Sequence, residues 1–196
     1  MRLARLAAAL AFALTAGALS ACDFRPDGAG ALGPIVKVGG PFHLIDTQGR
    51  PVTDASLLGK PTAIFFGFTY CPEVCPTTLA EMTAALADLG PVADQLNVVF
   101  VTVDPERDTP DQMRLYLSNF DHRIQGFTGP VPAVEAAAKA YRVYYRKVPT
   151  EGGGYTVDHS SAVYLFDRRG VFVEPIGYGT PHDRVVAQLR ALLRDN

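Results

Sequence analysis

Apolar residues run almost without interruption over positions 62–69 and again over 96–103, where Ile, Val and Phe dominate. Such runs predict strands buried on both faces. Between them, positions 76–89 carry apolar residues at helical spacing, and Gly90-Pro91 breaks the pattern. Strand, helix and strand in that order predict a right-handed parallel crossover. Ahead of this unit, 41–46 reads as a short strand, Asp46-Thr47-Gln48-Gly49 as a turn, and 52–57 as the approach to Gly59-Lys60-Pro61. Beyond it, Thr109-Pro110 opens a helix to about residue 119, with threonine as the N-cap and proline at the first helical position. A second helix is predicted over 131–141, extended chain over 143–148, and a loop tip at Glu151-Gly152-Gly153-Gly154. Strands at 161–167 and 171–176 around Arg168-Arg169-Gly170 make a hairpin. The last helix, 181–194, stripes Val185, Val186, Leu189, Leu192 and Leu193 along one face. Neither an internal repeat nor a second domain is evident.

The pattern before residue 41 differs. Arg2 and Arg5 precede an apolar segment and small residues, which predicts an export signal over 1–21, too short for a membrane span. Leu19-Ser20-Ala21-Cys22 has the form of a bacterial lipobox, which would make Cys22 a lipidated anchor and withdraw it from ligand chemistry. Positions 23–40, rich in Gly, Ala and Pro, read as a tether reaching on the order of 20 to 25 Å. The predicted division is thus signal 1–21, anchor and tether 22–40, and one folded domain over 41–196. The whole chain carries 18 basic and 20 acidic residues, and losing the signal leaves it mildly acidic. No basic stripe calls for nucleic acid.

Chemistry concentrates where the first central strand ends. Cys71 and Cys75 lie in Tyr70-Cys71-Pro72-Glu73-Val74-Cys75-Pro76, on a strand-to-helix turn. Unpaired N–H groups at a helix start favour thiolate over thiol. With Cys22 set aside, these two are the remaining cysteines of a chain that holds 3, kept close together in an oxidising compartment. A disulfide closing so short a loop contributes little by chain entropy. The pair therefore reads as chemical: a seat for a soft ion such as Cu(I), or a reversible disulfide.

The element order predicts an α/β domain with a thioredoxin-like fold, a central mixed sheet flanked by helices. In that fold the 161–167 strand runs antiparallel to the central pair, so its start shares their carboxyl edge. His159, just ahead of it, is thereby brought near both cysteines. Asp104-Pro105-Glu106-Arg107-Asp108, after the second central strand, shares the same edge. Asp104 and Asp108 read equally as caps of the next turn and helix or as groups that tune the site or dock a partner. His43, His122 and His182 have no second ligand at a recognisable spacing.

Four stretches carry a resemblance: Phe68-Thr69-Tyr70-Cys71-Pro72-Glu73-Val74-Cys75-Pro76, Val103-Asp104-Pro105-Glu106-Arg107-Asp108-Thr109, Ala140-Tyr141-Arg142-Val143-Tyr144-Tyr145, and Val157-Asp158-His159. Together they resemble the Sco/SenC family over essentially the whole domain, whose members deliver copper to the binuclear centre of cytochrome c oxidase. The resemblance implies Cys71, Cys75 and His159 as metal ligands. Asp104 and Asp158 are the candidate supporting or docking residues. Two thiolates and a neutral imidazole suit Cu(I), and Cu(II) with a further ligand.

Two functions follow. The first is a metallochaperone, a binding protein rather than an enzyme, lipid-anchored at the periplasmic face of a bacterial inner membrane. Its partners would be the copper-bearing oxidase subunit, an upstream periplasmic copper donor and a thioredoxin-like reductant. The second is a thiol-disulfide oxidoreductase, with Cys71 attacking and Cys75 resolving. A peroxidase of the peroxiredoxin kind is a distant third.

Overall fold

The computed structural model describes residues 37–194. The export signal, Cys22 and positions 23–36 of the tether lie outside the described residues. In chain order the elements are β1 (His43–Asp46), β2 (Pro51–Thr53), β3 (Thr62–Gly67), α1 (Val74–Leu89), β4 (Asn97–Thr102), α2 (Pro110–Leu117) and β5 (Ile124–Thr128). They continue with α3 (Val131–Ala140), β6 (Tyr145–Pro149), β7 (Tyr155–His159), β8 (Val163–Phe166), β9 (Phe172–Ile176) and α4 (His182–Arg194).

Seven strands form one mixed sheet in the order β2-β1-β5-β4-β3-β8-β9. The parallel trio β5-β4-β3 lies at its centre, β1 pairs antiparallel to β5, and β8 antiparallel to β3. Every residue of β3 is buried, as is all of β4 after Asn97, which explains their unbroken apolar runs. Such side chains each contribute about 1.5–3 kcal/mol when removed from water. The α1 helix turns Leu79, Met82, Leu86 and Leu89 into the core and packs beside α4, which buries Val185, Val186, Leu189 and Leu192. This is the thioredoxin-like α/β arrangement, with helices flanking a central mixed sheet.

Two elements depart from the pattern read along the chain. Strand β5 fell in a stretch without an assigned element, because Ile124-Gln125-Gly126-Phe127-Thr128 is short and interrupted by glycine. Its extended form comes from pairing with β4 on one side and β1 on the other. The strand expected from 161 begins at Val163, and the residues leading to His159 form β7, which pairs with β6 in a separate two-stranded sheet. His159 therefore ends a hairpin strand instead of sitting in a loop before the main sheet. Among the described residues, no helix is long and apolar enough to cross a membrane.

Candidate metal centre

Strand β3 ends at Gly67, and the chain turns through Phe68-Thr69-Tyr70 to deliver Cys71 ahead of α1. The turn is fixed from below by Asp108, a fully buried carboxylate. It accepts from the Thr69 N–H at 3.0 Å, the Thr69 hydroxyl at 2.6 Å and the Thr102 hydroxyl at 2.6 Å. Burial pushes the Asp108 carboxyl up against the pull of these bonds. The neighbouring backbone is tied as well, because the Val103 N–H donates to the Gly67 carbonyl at 2.8 Å.

Helix α1 opens at Val74 with Glu73 as its N-cap, and the Glu73 side chain makes no capping bond. The sulfur of Cys71 takes that role: the Cys75 N–H donates to it at 3.4 Å. A helix-start N–H directed at sulfur favours its anionic form. Cys75 occupies the second helical position, fully buried, while Cys71 is half-buried. The Cys75 sulfur lies 3.4 Å from Nε2 of His159. The other ring nitrogen, Nδ1, lies 2.8 Å from the Ser160 carbonyl, which can only accept, so Nδ1 carries the proton and Nε2 presents its lone pair to the sulfurs. Phe68 packs edge-on against the imidazole, 5.7 Å between centroids at 85°.

The two thiols differ sharply in acidity. A hydrogen bond from Cys75, with help from the backbone N–H groups of Cys75 and Glu73, outweighs burial and brings Cys71 down from 9.0 to about 4. The same sulfur–sulfur contact, reinforced by burial, drives Cys75 upward. At neutral pH the reduced pair therefore holds one thiolate, Cys71, and one thiol, Cys75, whose proton is donated to the Cys71 sulfur.

The sulfurs of Cys71 and Cys75 and a nitrogen of His159 all lie within 4.8 Å of one another. Two soft sulfurs and one imidazole form a set suited to a soft ion of low coordination number. Tetrahedral zinc would need a fourth ligand. Asp104 has no surface to offer a partner: it is fully buried, and its carboxylate accepts from Arg107 Nε and, at 2.7 Å, from the Tyr155 hydroxyl. Asp158 is exposed beside His159. Thr109 caps α2, its hydroxyl accepting from the Gln112 N–H at 3.2 Å, so neither Asp104 nor Asp108 serves as that cap. His122 is exposed, and His182 bridges Glu81 and Asp88 between α1 and α4, remote in role from the sulfurs.

Two contributors escaped the sequence reading. Gly67 leaves room for the Cys75 sulfur, since a Cβ there would stand 2.7 Å from Sγ. A glycine closing an otherwise bulky apolar strand was the available signal. Arg107 was visible only within a charged run, and nothing in its spacing indicated the aromatic rings around it.

In class, this is a thioredoxin-like domain carrying two thiols and an imidazole at the carboxyl edge of its central strands. The chain belongs to the SCO1/SenC family, whose model matches residues 33–194. It is 41% identical over 147 residues to the mitochondrial SCO1 homolog 1 of Arabidopsis thaliana, covering 74% of this chain and 43% of that one. Against the mitochondrial SCO1 of Saccharomyces cerevisiae it is 40% identical over 162 residues, covering 79% and 55%. The chain thus spans about half the length of the curated relatives it matches. Among solved structures, it is similar to copper-bound ScoI of Bradyrhizobium japonicum at 48% identity and a TM-score of 0.75, over 79% of this chain and 99% of that one. The copper-bound yeast Sco1 aligns at 38% identity and a TM-score of 0.76, over 82% and 90%.

Proposed function

We propose that this protein is an exported copper carrier that holds Cu(I) on Cys71, Cys75 and His159 and delivers it to, or prepares, the binuclear copper site of cytochrome c oxidase. The observation that carries the reading is the convergence of three soft or borderline donors within 4.8 Å, with Nδ1 of the imidazole engaged by the Ser160 carbonyl and Nε2 facing the Cys75 sulfur. The copper-bound relatives support it, and so does the resemblance to a family that serves oxidase assembly. Cu(II) is accommodated with one further ligand. Loading converts the Cys75 thiol to thiolate and so expels its proton. Unloading needs only that a recipient offer competing soft ligands at the half-exposed Cys71 side.

The N-terminal sequence supports an extracytoplasmic location, with Cys22 as lipid anchor on the periplasmic face of a bacterial inner membrane. That location suits a membrane-embedded client, an upstream periplasmic copper donor, and a thioredoxin-like reductant that keeps the dithiol competent. Asp158, exposed next to His159, is suited to meet a partner as the ion is transferred.

A second reading has its own support. Cys71 combines a depressed pKa of about 4 with partial exposure, and the buried Cys75 behind it is placed to resolve a mixed disulfide. Reduction of client cysteines would use the same pair. A Cu(I) titration of the reduced domain against a competing chelator separates the two. The carrier reading expects tight one-to-one binding that His159→Ala weakens sharply while disulfide formation persists. Unchanged Cu(I) affinity in that variant would leave thiol exchange as the function.

A further inference from the structure

The hairpin that supplies His159 is not part of the main sheet. Among the described residues, strands β6 and β7 pair only with each other, and a lone two-stranded ribbon has little stability of its own. The other two ligands belong to the β3–α1 turn and the start of α1. Something must therefore fix the distance between two elements that share no ladder.

We propose that Arg107 is the positioning residue for His159, clamping the β6–β7 hairpin onto the cysteine turn; this inference rests on the copper-holding reading above. Its guanidinium carbon lies 3.9 Å from the centroid of Tyr155, the first residue of β7. The same carbon lies 4.8 Å from the Tyr70 ring and 5.9 Å from the Phe68 ring, both on the cysteine turn. One planar cation thus contacts aromatic faces from both ligand-bearing elements. Its hydrogen bonds set the third direction. Nη1 donates to the Tyr155 carbonyl at 2.9 Å, and Nε donates to Asp104, which also accepts from the Tyr155 hydroxyl at 2.7 Å.

Arg107 Nη2 is buried without a hydrogen-bond partner among the described residues, an expense that the surrounding π faces account for. An arginine kept only for its ion pair with Asp104 would have no reason to bury that nitrogen among rings. The line of contact continues to the ligand itself, because Phe68 lies edge-on to the His159 ring, and the Cys71 N–H donates to the Phe68 carbonyl at 3.2 Å. Tyr155 and His159 sit at opposite ends of the five-residue strand β7. Anchoring Tyr155 fixes the direction in which the strand presents its last residue.

The test is a double-mutant cycle on Cu(I) affinity, measured by chelator competition on reduced wild-type protein, Arg107→Ala, His159→Ala and the double variant. Arg107→Ala is expected to weaken Cu(I) binding by about 10- to 100-fold, and to cause little further loss once His159 is absent. Arg107→Lys, which keeps the charge without the planar stack, is expected to remain folded and still lose affinity in the same His159-dependent way. It serves where the alanine variant fails to fold. Wild-type affinity in Arg107→Lys, or an equal fold-loss with and without His159, would overturn the clamp. A wild-type protein whose Cu(I) affinity does not depend on His159 would instead overturn the copper-holding reading itself.

Discussion

Replacing Gly67 by alanine tests how tightly the site is built into the core. An added Cβ would stand 2.7 Å from the Cys75 sulfur, 2.7 Å from Cε2 of Phe100 and 3.3 Å from its Cζ. Optimal contacts lie near 3.5–4.0 Å, so both neighbours must retreat by about 1 Å. Neither has space to do so: Cys75 and Phe100 are both fully buried, and Gly67 is held in the ladder with Thr102. Overpacking of this kind costs about 1–3 kcal/mol. At roughly 2–4 °C per kcal/mol for a chain of this size, the thermal midpoint of the reduced protein should fall by about 2–12 °C. Because one displaced atom is a ligand, Cu(I) affinity should fall as well, by about tenfold or more. Gly126→Ala is the matched control. Its Cβ would meet Leu117 at 2.6 Å and Thr47 at 2.9 Å, away from the sulfurs, so stability should drop while affinity stays. Thermal unfolding and chelator competition on both variants decide the matter. If Gly67→Ala lost stability like the control but kept wild-type affinity, the idea that this glycine seats the sulfur would be refuted.

Three further expectations follow from the same geometry. Loading the reduced protein with Cu(I) near neutral pH should release about one proton per ion, because Cys71 is already ionised at a pKa of about 4 and Cys75 is not; calorimetry in buffers of different ionisation enthalpy would expose a release of two. Asp108→Ala strands three donors around a buried site, the Thr69 N–H and the Thr69 and Thr102 hydroxyls, and should cost about 3 kcal/mol or more in urea unfolding; a loss below about 1 kcal/mol would contradict its role under the cysteine turn. Hydrogen bonds to Asp88 and Glu81 raise His182 above 6.5, so its contribution to stability is full below that pH and disappears as pH rises through the folded-state value. The difference in thermal midpoint between wild type and His182→Gln should therefore shrink with rising pH, and a difference that grew instead would reverse the assignment.

Much of this protein was legible along the chain because its signals are local. The apolar runs of β3 and β4, the proline and threonine that open α2, the stripe of α4 and the cysteines at a helix start each depend on residues a few positions apart. The placement of His159 near the sulfurs was legible through topology, since β8 runs antiparallel to β3 and its start must lie at the same edge. Strand β5 was not legible, for its five residues become a strand only between β1 and β4. Of the β6–β7 ribbon, the sequence indicated extended chain over 143–148 and a glycine-rich tip, but neither the strand β7 nor its pairing.

The amino-acid order alone determined which atoms are offered: two sulfurs at a helix mouth, one imidazole far downstream, and strands whose hydrophobicity forces them to the centre. Tertiary structure decided how those atoms behave. It made Cys71 acidic and Cys75 reluctant by setting one sulfur against the other, turned Nε2 toward them through the Ser160 carbonyl, and enclosed Arg107 among rings from two separate elements. The contacts that set acidity and tautomer join residues close in sequence, but their geometry is held by the surrounding fold. The spacing of imidazole to sulfur and the rings around Arg107 join residues distant in sequence, and those contacts exist only once the chain has closed on itself.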